Sequence, residues 1–282
     1  MRLDRALPER GLARSRSHAT ELIRAGSVRV DGAAVTKPAF EVSEASRIVV
    51  DAPAGYVSRA AFKLAGALDA CEPLALDVTG AHALDAGAST GGFTQVLLER
   101  GVAHVHAVDV GHGQIAPAIA SDPRVTVREG VNVRELTAAD DGAGCDLVVA
   151  DLSFISLQLV VPAFVDFAAP GAQMLLMVKP QFEVGRERLG NGGVVTDPAL
   201  RIEAVSGVIE ACVRAGLHVR HVERSSLPGP HGNVEFFVWV GGPWQARTDM
   251  DADPGWPTLD EDEAREAVVR EVLSSDDVGR NS

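Results

Sequence analysis

Apolar residues recur along this chain with two different periods, and the change of period divides it. Over residues 2–10 and 15–25 the spacing is helical. Leu22 and Ile23 face inward while Arg14, Arg16 and Arg24 stay on the outer side. The second helix is expected to start at a Ser15/Ser17 cap and to stop at Gly26. The stretch 27–35 reads as strand, Asp31-Gly32 turn and strand, Lys37-Pro38 ends that unit, and residues 47–50 supply a last strand. A helix beginning at 58–64 leads into the second part. From Ala81 onward short apolar runs alternate with helical stretches, the pattern of a parallel sheet covered on both faces. Its expected strands are 82–85, 105–109, 145–151, 174–178 and 234–240, with a helix over 93–100. Pro162, Asp166, Pro170 and Gly171 interrupt the weakly charged stretch 157–178, which therefore reads as helix, turn and buried strand rather than a membrane span. After Pro243 apolar residues thin out around the acidic run 260–263. That tail is expected to be disordered apart from a short helix near 260–273.

Charge sharpens the division. The 282 residues carry a net charge of −13, which by itself argues against a polyanionic partner. Residues 1–63, however, hold 11 basic and 7 acidic side chains, residues 64–242 hold 11 and 21, and residues 243–282 hold 4 and 11. An acidic body with a basic head points to nucleic-acid contact through the head. Only three of the 26 basic residues are lysines, Lys37, Lys63 and Lys179, so a lysine here marks a place where a compact point charge matters. Cys71, Cys145 and Cys212 are widely spaced, which excludes a disulfide framework and a thiolate zinc site and favours a reducing, cytoplasmic setting. Four charges in the first nine residues exclude a signal peptide there. No ligand cluster suggests a metal.

The strand 82–85 runs into Ala86-Gly87-Ala88-Ser89-Thr90-Gly91-Gly92, and Asp109 closes the next strand. Strand, glycine-rich turn, helix and strand-closing acid form a nucleotide-recognition unit. Phe93 stands where a phosphate-binding loop needs lysine, and Ser89 replaces the middle glycine of a dinucleotide fingerprint. The remaining form, Asp85-x-Gly87-x-x-x-Gly91-Gly92, resembles the S-adenosylmethionine loop of class I methyltransferases, with Asp109 at the ribose position. Asp85, Gly87, Ser89, Thr90, Gly91, Gly92 and Asp109 are the candidate cofactor residues. Asp151-Leu152-Ser153-Phe154 is not the Asp-Pro-Pro-aromatic quartet of base-nitrogen methylation. No cysteine follows strand four or five to serve as a nucleophile at a pyrimidine carbon.

The head, with RLDRAL and RGLARSRSHATELIRAGSVRVDG, resembles the small RNA-binding domain first known in ribosomal protein S-four. That resemblance implies phosphate contacts from Arg2, Arg5, Arg14 and Arg16. Lys63, Asp151, Lys179 and Glu235 resemble the K-D-K-E tetrad of FtsJ-like ribose 2′-O-methyltransferases. With the motifs YVSRAAFKL, LDAGASTGGFT, DLVVADLSFISL, VKPQFE and GPHGNVEF, the chain is similar over residues 1–242 to the TlyA (hemolysin-A-like) family. The family's arginine-aromatic linker motif is only partly kept, because Tyr56-Val57 lacks a preceding arginine. The resemblance implies an α/β class I methyltransferase domain over 58–242, preceded by a small α+β RNA-binding domain with its linker over 1–57. It also implies S-adenosylmethionine as cofactor, rRNA in ribosomal subunits as substrate, cytidine ribose as target and a link to capreomycin sensitivity. Lys179 is then expected nearest the 2′-hydroxyl, with Asp151 and Glu235 orienting its ammonium and Lys63 adding positive potential. Whether Lys179 acts as general base or stabilising cation stays open at this point. Other readings are an RNA-binding assembly factor with an inactive methyltransferase fold, an NAD-dependent enzyme, which Ser89 disfavours, and a pore-forming protein, which no amphipathic or spanning segment favours.

Overall fold

A computed structural model describes the chain except residues 11, 14, 15, 25, 44, 51–54, 191, 230, 231, 243–254 and 275–282. It divides into two compact units, Met1–Ser58 and Arg59–Ser282. The first holds α1 (Leu3–Glu9), α2 (Arg16–Arg24), β1 (Val28–Val30), β2 (Ala33–Ala34) and β3 (Ile48–Val50). Leu3, Ala6 and Leu7, one face of α1, pack with Ala19 and Ile23 of α2 and with Val28 and Val30. Asp31 and Gly32 both have positive φ, +52° and +87°, as the two-residue hairpin between Val30 and Ala33 requires. Of the expected Ser15/Ser17 cap of α2, Ser15 lies outside the described residues, and Ser17 is the second residue of the helix rather than its cap.

The second unit opens with α3 (Ala60–Cys71), β4 (His82–Ala86), α4 (Gly92–Glu99), β5 (His104–Asp109), α5 (Pro117–Ala120) and β6 (Val125–Glu129). It continues through β7 (Cys145–Ala150), α6 (Val161–Phe167), β8 (Ala168–Val178), α7 (Pro180–Glu183) and α8 (Pro198–Arg214). The antiparallel pair β9 (His218–Arg224) and β10 (Phe236–Gly241) and a last helix α9 (Glu261–Leu273) complete it. The sheet order is β6-β5-β4-β7-β8-β10-β9. Five strands are parallel, but β10 runs antiparallel to both β8 and β9, which corrects the expectation of a parallel sheet at that edge. The segment 225–235 between β9 and β10 is shorter than the roughly dozen residues a parallel crossover needs, so the chain turns straight back. After β4 the chain builds outward through β5 and β6, then returns to build β7 and β8 on the other side. This reversal opens a crevice at the carboxyl ends of β4 and β7.

Residues 157–178 form a short 3-10 turn, α6 and β8, and among the described residues no helix is long and apolar enough to cross a membrane. In the tail the short helix expected near 260–273 is present as α9, but it is packed on the domain rather than isolated in a disordered segment. Helix α9 is capped reciprocally by Asp260 and Glu263 and buries Ala264, Ala267, Val268 and Val272 in the same core as Val219 and Val222. Leu259 bridges to Val219, and the Trp256 indole N–H donates to the Ala75 carbonyl. Residues 255–274 are therefore packed rather than disordered. The acidic run sits at a helix N-terminus, where the macrodipole favours it, and the sparse apolar residues fall on one helical face.

Candidate active site

The crevice is built by backbone approach. Gly87 has φ +86°, and a Cβ there would lie 2.7 Å from the Asp151 carbonyl oxygen, so no side chain fits between the loop and the end of β7. Gly91 has φ +90° and would meet Ile119 at 2.9 Å, while Gly92 begins α4. Ser89 adopts φ +48°, a left-handed conformation unusual for serine, and its backbone N–H donates to Asp109 Oδ2 at 2.8 Å. Gly111 N–H donates to Asp109 Oδ1 at 2.7 Å, so one carboxylate ties the two loops together. Each of its oxygens keeps a further lone pair for a ligand hydroxyl. Thr90 contributes its carbonyl, which accepts from Ala116 N–H. Asp85 is fully enclosed: Thr94 of α4 donates to it at 2.6 Å, and burial pushes its carboxyl up to about 7. Its other oxygen, Oδ1, is buried without a hydrogen-bond partner.

The four tetrad residues come from distant elements. Lys63 lies on the buried stripe of α3, Asp151 follows β7, Lys179 follows β8, and Glu235 precedes β10. The antiparallel register pairs Phe236 with Val178, which brings Glu235 and Lys179 to the same end of the sheet. They form two ion pairs. Lys63 Nζ meets Glu235 Oε2 at 2.6 Å, and Lys179 Nζ meets Asp151 Oδ1 at 2.6 Å. Glu235 thus partners Lys63, and the expectation that it orients Lys179 is corrected. Lys179 Nζ instead donates to Ser153 Oγ at 3.0 Å.

Several residues here were not anticipated. Ser153 and Gln181 stand two residues after Asp151 and Lys179, and Gln181 Nε2 donates to Glu235 Oε1 at 3.3 Å. Glu183 fastens the loop after β7 to the loop after β8, accepting from Ser156 Oγ at 2.5 Å and Leu157 N–H at 2.8 Å, and burial raises its pKa. Phe154 is 89% exposed, holds φ +66° and stands 5.2 Å from the Phe182 ring, over which Lys179 Nζ lies at 5.8 Å. Their nearness in sequence to the charged residues was the available signal.

In the first unit Arg5 is exposed, and Arg2 and Arg16 both pair with Asp4. Arg14 lies outside the described residues. Among the described residues no group of His, Cys, Asp or Glu is arranged to hold a metal.

Residues 56–242 match the FtsJ-like methyltransferase family and residues 1–48 match the S4 domain. The chain is 54% identical over 241 residues to the 16S/23S rRNA (cytidine-2′-O)-methyltransferase TlyA of Mycobacterium tuberculosis, covering 85% of this chain and 89% of that one. It is 34% identical to hemolysin A of Brachyspira hyodysenteriae, over 84% of this chain and 98% of that one. A solved structure described as a hemolysin from Streptococcus thermophilus superposes with a TM-score of 0.75 at 31% identity, covering 100% of this chain and 98% of that one.

Proposed function

The chain belongs to the TlyA family of FtsJ-like methyltransferases that carry an S4 domain, and from that premise we propose that it methylates ribose 2′-hydroxyls of cytidines in rRNA, in the cytoplasm. One observation carries the reading: the Lys179 ammonium stands at the crevice mouth between Asp151 and Ser153, beside the glycine loop. A ribose hydroxyl is a weak acid and a weak nucleophile, so the site must orient it and counter the charge that grows on its oxygen. One ammonium hydrogen goes to Ser153 and the charge of Asp151 lies 2.6 Å away, and an ammonium with three hydrogens can still donate to a substrate oxygen. Lys179 acts there as a fixed positive charge, and alignment alone contributes roughly 7–11 kcal/mol of barrier reduction.

S-adenosylmethionine fits the crevice and, when bound, supplies an electrophilic methyl group on a sulfonium. Gly87 lets the loop lie directly against the end of β7, Asp109 keeps lone pairs for two ribose hydroxyls, and Ser89, Thr90, Gly91 and Gly92 complete the cradle. Asp85 acts through Thr94, holding α4 in place. Asp151 fixes the Lys179 rotamer, while Lys63 and Glu235 form the wall behind. Phe154, exposed at the mouth, offers an aromatic face on which the target base stacks. The S4 domain, with Arg2, Arg5, Arg14 and Arg16, grips rRNA phosphates within the ribosomal subunits. The hemolysin name of some relatives is not carried over, since no observation among the described residues favours pore formation.

Mapping 2′-O-methyl groups in rRNA from cells with and without this gene tests the proposal. Loss of specific cytidine methylations is expected. Identical maps would leave the chain an assembly factor and overturn its assignment as an enzyme.

A further inference from the structure

Asp4 is an unexpected residue to find at the heart of a basic head. It is 2% exposed, its backbone N–H donates to the Pro38 carbonyl at 3.0 Å, and its neighbours Leu3, Ala6 and Leu7 are core residues. A buried carboxylate is costly unless paired. Arg2, preceding α1, donates Nε to Oδ1 at 3.0 Å and Nη2 to Oδ2 at 3.1 Å. Arg16, the first residue of α2, approaches Oδ2 with Nε at 2.9 Å and Nη2 at 2.8 Å. The Arg2 hydrogen bonds, backed by those of Arg16, outweigh burial and hold the carboxyl down at about 2. The acid is sealed beneath, yet the two arginine side chains remain 42% and 54% exposed.

We propose that Asp4 is a positioning residue that holds Arg2 and Arg16 side by side as one clamp for an RNA phosphate. The proposal rests on the reading of the first unit as RNA-binding and adds how its arginines are arranged. A staple between the two helices would need one cation on this acid, whereas here two converge. Arg2 spends Nε–H and one Nη2–H on Asp4, Arg16 spends Nε–H with Nη2 held against the same oxygen, and both keep their Nη1 groups for an anion. Two such forks anchored on one carboxylate present adjacent donors to the two free oxygens of a phosphodiester. The side-chain entropy that two free arginines would lose on binding is already spent in folding.

The inference carries a sign that simple electrostatics does not. Asp4→Asn makes the head more positive, so charge count alone predicts tighter RNA binding. A clamp predicts weaker binding, about tenfold, with a log–log salt slope shallower by roughly 0.7–0.9, the loss of one phosphate contact. The measurement is the affinity of the full-length protein for a labelled rRNA transcript at several salt concentrations, with S-adenosylmethionine binding followed alongside as a control on the second unit. Equal or tighter RNA binding by Asp4→Asn overturns the clamp. The double variant Arg2→Ala with Arg16→Ala separates the two levels. If it binds RNA as well as wild type, the RNA-binding reading of the unit fails. If it binds weakly while Asp4→Asn does not, only the clamp fails. Should Asp4→Asn unfold the unit, Arg16→Lys keeps the charge and removes the fork. Several-fold weaker binding is expected from it, and wild-type affinity would overturn the clamp.

Discussion

Two ion pairs of the same length stand in the methyltransferase domain, and they differ in what surrounds them. Lys63 and Glu235 meet with side chains 9% and 0% exposed, under a loop so close that a Cβ on Gly229 would lie 2.1 Å from Glu235 Oε1. Lys179 and Asp151 meet with side chains 9% and 18% exposed, beside the exposed residues Ser153 and Phe154. The charges and the distance are alike, so neither assigns a role. Solvent access and the third partner do: Lys63–Glu235 is closed and holds α3 against the start of β10, while in Lys179–Asp151 the carboxylate is partly exposed and the ammonium also bonds to exposed Ser153. A charge that must act on a substrate has to be fixed from behind and open in front.

The largest expected effect is at the open pair. Lys179→Arg should lower single-turnover methylation at saturating enzyme by about a thousandfold, about 4 kcal/mol of barrier, with cofactor and RNA binding nearly intact. Guanidinium keeps the charge but sets a planar group where the hydroxyl must sit. A rate within a few fold of wild type would break the contrast at its chemical end.

At the closed pair the loss should appear in stability. Glu235→Gln leaves a buried ammonium without a counter-charge and should cost about 3–5 kcal/mol in denaturant unfolding, most of it recovered when Lys63→Met is added. A Glu235→Gln protein as stable as wild type but equally slow as Lys179→Arg would make the two pairs chemically equivalent.

Phe154→Gly tests the open mouth with two opposite signs. Removing the stacking face should weaken substrate binding by about 1–3 kcal/mol. Releasing a bulky residue from φ +66° should raise the melting temperature slightly. Wild-type KM, or a lowered melting temperature, would show that the ring is a packing element instead.

A last contrast comes from a carboxylate with no lysine at all. Burial, with Glu271 and Asp69 nearby, raises Glu223 under α9 to about 8 from its ordinary 4.5. His221 lies 3.9 Å from Glu223, and burial lowers its pKa, so it offers little counter-charge at neutral pH. The folded protein then holds a proton that the unfolded chain releases between those two values. Stability contributed by this group therefore falls as pH rises through that window and levels off above about 8. Melting temperatures at pH 6 and pH 9 should differ less in Glu223→Gln than in wild type, and an unchanged difference would remove Glu223 as the cause.

What the chain discloses by itself is whatever lies close together along it. The glycine loop, Asp109, the four tetrad residues, the Asp31-Gly32 hairpin and the basic head each sit in a short motif, because strand ends, turns and helix starts are built from neighbouring residues. Pairing across the fold is of another kind. Lys63 and Glu235 are 172 positions apart, and their contact depends on the antiparallel register of β10 against β8, which local periodicity does not encode. The enclosure of Asp85, the sharing of Asp4 between two arginines and the docking of α9 belong to the same class. A side chain's charge is written in the sequence, but ion pairing and burial act over a few ångströms. Which charge meets which, and whether water reaches it, was decided only when the tertiary structure brought the elements together.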